Sequence, residues 1–471
     1  MNGIDDVSKV FGKCTGALLR QYYASAEGWR RIYSGEPDWK TVKKSGLYRG
    51  GSRRMNMLGT AKVLCDRFAA GVMAEKPSLV FADERVGEYV GRVLDESNFW
   101  GRLTERLPYA FAMGGCVFRP YINSGKVGID CVLGSSFVPL EWDENGVTAA
   151  CFRTGLVRNG VRYILLEKRG IEGETAVSEH RLFCAKDGAA YSKDGAFFSS
   201  ECALSEVYPE LSARVEYDGI GSRLFSVFKV FGANNLYPEI PLGISVFANA
   251  ADTLRALDVA FDSFAREFIL GKKRIIVPSS CVQTVVDIAT GEQRQYFDAD
   301  DEAYVALKCD EESELKITDN TVELRVDEHI KAINALLNIL CFQTGLSVGT
   351  FSFDANEGVK TATEIISRDS RTAATVRVQQ NALGAAIEEL VQEIAELGVY
   401  LGELGEDGDA SVKVLWQDGI ITDENTLIEN NVKLVQNGLK SKLTAIMELC
   451  GCGYEEALKE YERIQKEERE N

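Results

Sequence analysis

Histidine is almost absent: His180 and His329 are the only two in a chain of 471 residues. That leaves little room for a histidine general base or a histidine-completed metal site. Long apolar runs are missing as well. Runs such as Tyr109–Met113 and Ala335–Leu337 fall far short of the roughly 20 residues of a membrane helix, so no membrane partner is expected. The N-terminus, Met1-Asn-Gly-Ile-Asp-Asp6, has no basic head and no apolar stretch. A secretory signal is therefore not expected, and the chain should start in the cytosol. Positive charge is in deficit, with 53 Lys and Arg against 71 Asp and Glu and a net charge of −18. A broad basic grip on nucleic acid is thereby excluded, because it needs many cations on phosphates.

Catalytic signatures are lacking too. There is no GxxxxGK[ST] phosphate loop, no HExxH and no GxSxG. Gly50-Gly51 and Gly219-Ile-Gly221 lack the strand–turn–helix setting of a dinucleotide site. His329, in Asp327-Glu328-His329, reads as a residue at a helix start, and carboxylate pairs are too numerous for any to stand out. No catalytic residue and no cofactor are assigned. Cysteine is plentiful, at twelve, but Cys65, Cys116, Cys131, Cys151, Cys184 and Cys341 sit inside apolar stretches, where buried free thiols are found. Cys450-Gly-Cys452 is the one close pair and a poor zinc site, so no metal is expected.

What is present is ordinary globular material, 45% hydrophobic and 26% charged, in a length that suggests about three domains. Val63, Leu64, Phe68, Val72 and Met73 form a helical face, and further helices are expected through Val86–Leu94 and Arg102–Met113. From about Val117 the period becomes two. Asn145-Gly146 and Asn159-Gly160 punctuate a meander of Phe137–Trp142, Val147–Arg153 and Tyr163–Glu167. The fold class is α+β.

From Gly243 the pattern changes again. Phe247, Ala250, Leu254, Leu257, Phe261, Phe264 and Phe268 make a heptad seam. It is followed by Lys272-Lys273-Arg274, the strand-like Ile275–Pro278, and a second strand near Tyr304–Leu307. Val326, Ile330, Ile333, Leu337 and Leu340 supply a second seam. Two helices thus bracket a small α/β module, a hairpin with a domain at its tip. The seams have no evident partner helix elsewhere in the chain. A non-periodic loop, Ser347–Val359, leads to Thr361-Ala-Thr-Glu364, a capping box opening a helix to about Leu404. That helix carries Leu383, Ile387, Leu390, Ile394, Leu397 and Leu401 on one stripe, whereas its first half is polar all round and must be solvated or clasped. Ser411–Trp416 reads as a strand, and short helices follow, one capped by Asp423 and closed by Gly438, one capped by Ser441, and a charged terminal one.

This order of elements resembles the portal proteins of tailed bacteriophages, in particular the branch from phages of Gram-positive bacteria. The likeness is carried by Lys360-Thr-Ala-Thr-Glu-Ile-Ile-Ser-Arg-Asp-Ser-Arg-Thr372, by Pro241-Leu-Gly-Ile-Ser-Val-Phe247, and by Leu257-Asp258 with Phe261-Asp262. Asp418-Gly-Ile-Ile421, Val435-Gln-Asn-Gly-Leu-Lys-Ser441 and the Trp29…Trp39 region add to it, while Glu172–Glu216 matches least. The resemblance implies a wing (1–242, with a return strand in 405–422), stem helices (243–273 and 326–346) and a clip (274–325). It further implies a tunnel loop (347–359), a long helix (360–404) and a helical crown (423–471). Also implied is a ring, typically of twelve copies, at one capsid vertex in the virion, assembled in the host cytoplasm. Expected partners are other copies of the chain, terminase, the head–tail adaptor, major capsid and scaffold proteins, and double-stranded DNA held non-specifically.

In that picture DNA meets Thr350, Phe351, Ser352, Phe353, Asn356 and Lys360, with Lys272, Lys273, Arg274 and Lys331 as modest positive rings below. The acidic clip, Asp298, Asp300, Asp301, Asp310, Glu311, Glu312 and Glu314, would dock partners. The acid balance suits a channel through which DNA slides, since basic walls would hold phosphates. Two other readings stay open: a cytosolic α+β enzyme using carboxylates, and a different phage structural or adaptor protein.

Overall fold

The computed structural model describes residues 7–8, 10–12, 16–44, 51–185, 200–271, 275–276, 283–286, 293–296, 318–319, 323–353, 362–416, 424–450 and 454–470. Helix α1 (Ala17–Tyr33) turns Leu19, Tyr22, Tyr23, Ala26 and Trp29 inward, at helical spacing, and closes on Arg30 and Arg31 where the helix dipole favours cations. An antiparallel ribbon, β1 (Thr41–Lys44) and β2 (Gly51–Arg54), follows. Next come α2 (Thr60–Val72), β3 (Ser78–Phe81), α3 (Glu84–Glu96) and α4 (Phe99–Met113). Asp83 caps α3 by accepting from the Arg85 amide at 2.9 Å. The three helices expected from periodicity are there.

Two antiparallel sheets carry the middle of the chain. Strands β4 (Gly115–Asn123) and β5 (Lys126–Leu133) form a hairpin. The larger sheet is a meander of β6 (Phe137–Asp143), β7 (Gly146–Arg158), β8 (Val161–Glu172) and β9 (Thr175–Ala185), extended by β10 (Ser200–Cys202), with β11 (Arg214–Tyr217) also on β9. Strand β12 (Ser226–Lys229) returns to pair with β4. Asn159 and Gly160 form the expected two-residue turn with φ of 52° and 77°, the left-handed pair that matches strand twist. The other expected turn sits one residue earlier. Asp143 pairs with Gly146, so Glu144-Asn145 is the loop and Gly146 opens β7. Phe118, Phe152, Phe225 and Phe228 fill the core beneath the sheets.

The hairpin at 243–346 is built, with differences. Its first helix, α5 (Ala251–Leu270), starts later than expected, because Gly243–Phe247 is occupied elsewhere: the Val246 amide donates to Phe111 O at 3.0 Å at the end of α4. The second helix, α6 (Val326–Thr344), ends at Gly345, whose φ of 79° needs no Cβ. The seams are also not without partners. Leu254 and Leu257 of α5, and Ile333, Leu337 and Leu340 of α6, are buried within the chain itself, and the two helices pack on each other. At the far end Phe268 is 45% and Ile269 61% exposed. Between the helices, β13 (Ile275–Ile276) pairs with β16 (Thr318–Asp319), and β14 (Gln283–Val286) with β15 (Gln293–Tyr296). The expected strand near Tyr304–Leu307 lies outside the described residues.

Helix α7 (Ala362–Tyr400) is the longest described element at 39 residues. Leu383, Ile387, Leu390, Ile394 and Leu397 are all at most 1% exposed. Thr361, the expected cap, lies outside the described residues. Strand β17 (Val412–Leu415) pairs with β3, returning the chain to its N-terminal third. The helices α8 (Glu424–Gln436), α9 (Lys442–Cys450) and α10 (Tyr454–Glu470) finish the chain. Ser441 caps α9 by accepting from the Thr444 amide at 3.0 Å; Asp423 lies outside the described residues.

Candidate functional site

The chemistry-bearing segment is the turn from α6 into α7. Past Gly345, the Leu346 amide donates to Cys341 O at 2.9 Å, and the Leu346 side chain is buried. Ser347 and Thr372 then clasp each other. The Ser347 amide donates to Thr372 Oγ1 at 2.9 Å, and the Thr372 amide donates to Ser347 Oγ at 3.2 Å. Thr375 Oγ1 donates to Gly345 O at 2.6 Å. Thus the polar half of α7 is clasped by the loop backbone, because a helix face of Thr and Ser can satisfy the carbonyls and amides a turn leaves open.

The loop then runs back along α6. Gly349 and Phe353 donate their amides to Asn338 Oδ1 and Asn334 Oδ1, each at 3.0 Å. These two asparagines stand one helical turn apart, so α6 holds the loop at two successive rungs. Sequence reasoning missed them. The available signal was a pair of Asn at i, i+4 on the side of α6 away from its apolar seam.

The expected DNA-facing residues divide accordingly. Thr350 is half-buried and spends its hydroxyl proton on Ser347 O at 2.6 Å. Phe351 is half-buried and packs on the core. Ser352 and Phe353 are exposed, and Lys331 is exposed on α6, three residues before Asn334. Asn356 and Lys360 lie outside the described residues, as do Lys272, Lys273 and Arg274. The acidic set Asp298, Asp300, Asp301, Asp310, Glu311, Glu312 and Glu314 also falls there. Around the described part of the loop, Phe342 is 64% exposed, Val348 55% and Phe353 53%. Arg371 covers the Phe342 ring at 5.1 Å and donates to Phe342 O at 3.1 Å.

Carboxylates fix the two helices beneath this loop. Asp258 accepts from Trp39 Nε1 at 2.9 Å and the Leu58 amide at 3.0 Å. Asp262, one turn on, takes both Arg53 nitrogens at 2.8 and 2.6 Å and the Asn56 amide at 3.0 Å. Burial pushes the Asp258 carboxyl up, whereas the Arg53 fork holds Asp262 down. At the other end Glu267 accepts a fork from Arg325, 3.0 Å on each arm. That fork, chiefly, holds the Glu267 carboxyl down at about 2.

A second polar centre lies inside the sheets. Glu167 accepts from Arg119 at 2.6 Å and Arg169 at 2.5 Å, with His180 Nε2 at 3.7 Å. Burial alone would raise the Glu167 carboxyl; the two guanidiniums outweigh it and hold it well below the usual range. Phe152 packs against both cations, at 5.2 and 5.9 Å. The Glu167 carboxylate is shared between the two guanidiniums, which is the geometry of a structural lock. Cys65, Cys116, Cys131, Cys151 and Cys341 are buried thiols outside any disulfide, as expected, while Cys184 is half-exposed. Among the described residues no His, Cys, Asp and Glu cluster has the form of a metal site.

No curated protein matches this sequence. Among solved structures, a chain from the virion of a native gene transfer agent (GTA) particle is similar at 10% identity and a TM-score of 0.44. The match covers 89% of this chain and 98% of that one. The family profile described as phage portal protein, SPP1 Gp6-like, matches residues 215–471. That span begins in β11 and takes in the α5–α6 hairpin, the loop, α7 and the last three helices. It is more than half of the chain, and the chain therefore belongs to the SPP1 Gp6-like phage portal protein family.

Proposed function

We propose that this chain is the repeating subunit of a ring at a capsid vertex, whose central channel passes DNA during packaging and ejection. The observation that carries the reading is the exposed apolar rim of Phe342, Val348 and Phe353 beside a loop tied to α6 and α7. A lone chain has no use for three large apolar side chains in water, and a neighbouring copy would cover them. Within the ring, 243–273 and 326–346 act as the stem, 274–325 as the clip, 347–359 as the tunnel loop, and 423–471 as the crown. Residues 1–242 with the strand in 405–422 act as the wing.

DNA contact in this picture is by position and not by sequence. Ser352 and Lys331 are exposed and are the described candidates, beside the rim that Phe353 shares. Asn356, Lys360 and Lys272–Arg274 complete the set, and the net charge of −18 keeps the grip loose. The acidic clip residues, from Asp298 to Glu314, receive terminase and then the head–tail adaptor, while capsid proteins hold the rim.

Mass in solution tests the reading. Native mass spectrometry and particle images should show a closed ring with an axial hole. A chain that stays monomeric with and without salt and capsid partners would overturn it.

A further inference from the structure

Seven residues before its end, α7 buries an acid that nothing among the described residues answers. Glu393 is 1% exposed, and neither of its carboxyl oxygens has a hydrogen-bond partner among the described residues. Leu390, Val391, Ile394 and Leu397 of the same helix are buried as well. A buried polar group without a partner is rare, because it forfeits hydration for nothing.

The charged groups facing it are committed elsewhere. On its own helix, Glu389 pairs with Arg223, and Glu396 accepts from the Ser222 amide at 3.3 Å and from Gln392 at 3.3 Å. From the segment before β12, Arg223 also donates to Phe225 O at 3.0 Å and to Val147 O. From β8, Arg169 is spent on Glu167, Pro120 O and Leu224 O. From β6, Glu141 lines the same groove of about 420 Å³, with Thr148, Ala149 and Ser222. Among the described residues an ionised Glu393 would thus be a buried anion whose nearby cations are already paired, with Glu389 as a like charge beside it. Burial first, and Glu389 second, push its carboxyl well above the usual range. The protonated acid is merely a neutral polar group in the wall of that groove.

We propose that Glu393 is a proton latch, whose neutral carboxyl lets α7 seat on the sheets and whose ionisation unseats that stretch of helix. The consequence reaches the loop, because α7 carries both the Thr372–Ser347 clasp and the ties at Gln379 and Glu389 to the segments flanking β12. The inference rests on the packing of α7, so the ring and channel reading can fail without it, and the reverse.

The sign is fixed by proton counting. The folded chain keeps a proton that the unfolded chain releases near the ordinary glutamate value of about 4.3. Opening of the seam therefore becomes easier as pH rises above that value, by up to about tenfold per pH unit, until Glu393 ionises in the folded state.

Hydrogen exchange on the full-length chain reads this directly. From roughly pH 5.5 to 8.5, after correction for intrinsic rates, amides of 383–397 should open more at each step by up to that factor. Glu393→Gln, which keeps the neutral shape, should flatten the profile. Glu389→Gln, which removes the like charge and frees Arg223, should end the rise at lower pH. The carbon-13 titration of the Glu393 carboxyl in the unaltered chain needs no variant to fold, and its midpoint should lie well above about 4.3. A Glu393→Gln profile that tracks the unaltered chain, or an ordinary midpoint for Glu393, overturns the latch.

Discussion

Asn334 and Asn338 show how little chemistry is needed to pin a loop. Each gives one acceptor to a backbone amide at 3.0 Å, and one such bond contributes about 0.5–1.5 kcal/mol. Replacing both with Ala should speed amide exchange at Gly349 and Phe353 by roughly ten- to a hundredfold while global stability changes little. Unchanged exchange would mean the loop is held by Phe351 instead. The buried lock calls for the opposite outcome. Glu167→Gln leaves Arg169 without its carboxylate and Arg119 with Asp130 alone, which should cost about 3–5 kcal/mol in a denaturant titration. Because Glu167 is held low, its contribution is present above the unfolded glutamate value and is lost as pH falls. Both effects were illegible in sequence, since nothing local marks which Asn or Glu will find a buried partner.

At the scale of elements, the two stem-like helices behave as a hairpin whose ends are fixed by carboxylates. Glu267, held at about 2 by the Arg325 fork, makes the far end acid-sensitive. Its contribution is complete above about pH 4.5 and fades as pH falls towards 2. Thermal melts between neutral and acid pH should therefore show a shallower fall for Glu267→Gln than for the unaltered chain. Helix α7 holds a second device. Gln379 is 3% exposed and treats Phe231 as a strand neighbour, accepting from its amide at 2.9 Å and donating to its carbonyl at 3.3 Å. Gln379→Leu keeps the volume but leaves both Phe231 groups unpaired, and should cost about 1–3 kcal/mol. A neutral outcome would show that water replaces the side chain. The polar half of α7 announced that it must be solvated or clasped, but not that residues 345–347 and the backbone at 231 would meet the helix.

For the whole molecule, the test is whether copies of the chain cover what a single chain leaves open. Phe342→Asp should abolish ring assembly, read by native mass spectrometry. The melting of the single chain should change by less than about 0.5 kcal/mol, because Phe342 is 64% exposed and buries little within the chain. A ring that forms normally with Asp at that position would move the interface elsewhere. Membership of the portal family fits the order of elements over residues 215–471, where the sequence itself was most periodic.

The amino-acid sequence by itself determined the helices, the meander, the hairpin with its inserted module, and the long helix. Period, turn pairs such as Asn159-Gly160 and caps such as Ser441 act within a few residues and need no tertiary partner to be recognised. It also carried the portal likeness, through the order of those elements. Only the tertiary structure decided the start of α5, the burial of the two seams within one chain, and the polar ties that hold the hairpin and its loop. Those depend on partners far apart in the chain. Trp39 meets Asp258 across 219 residues, Tyr22 meets Gly243 O across 221, and Gln379 meets Phe231 across 148. Whether a polar side chain meets water or a backbone group in the interior is fixed by what packs over it, and that is a property of the folded chain alone.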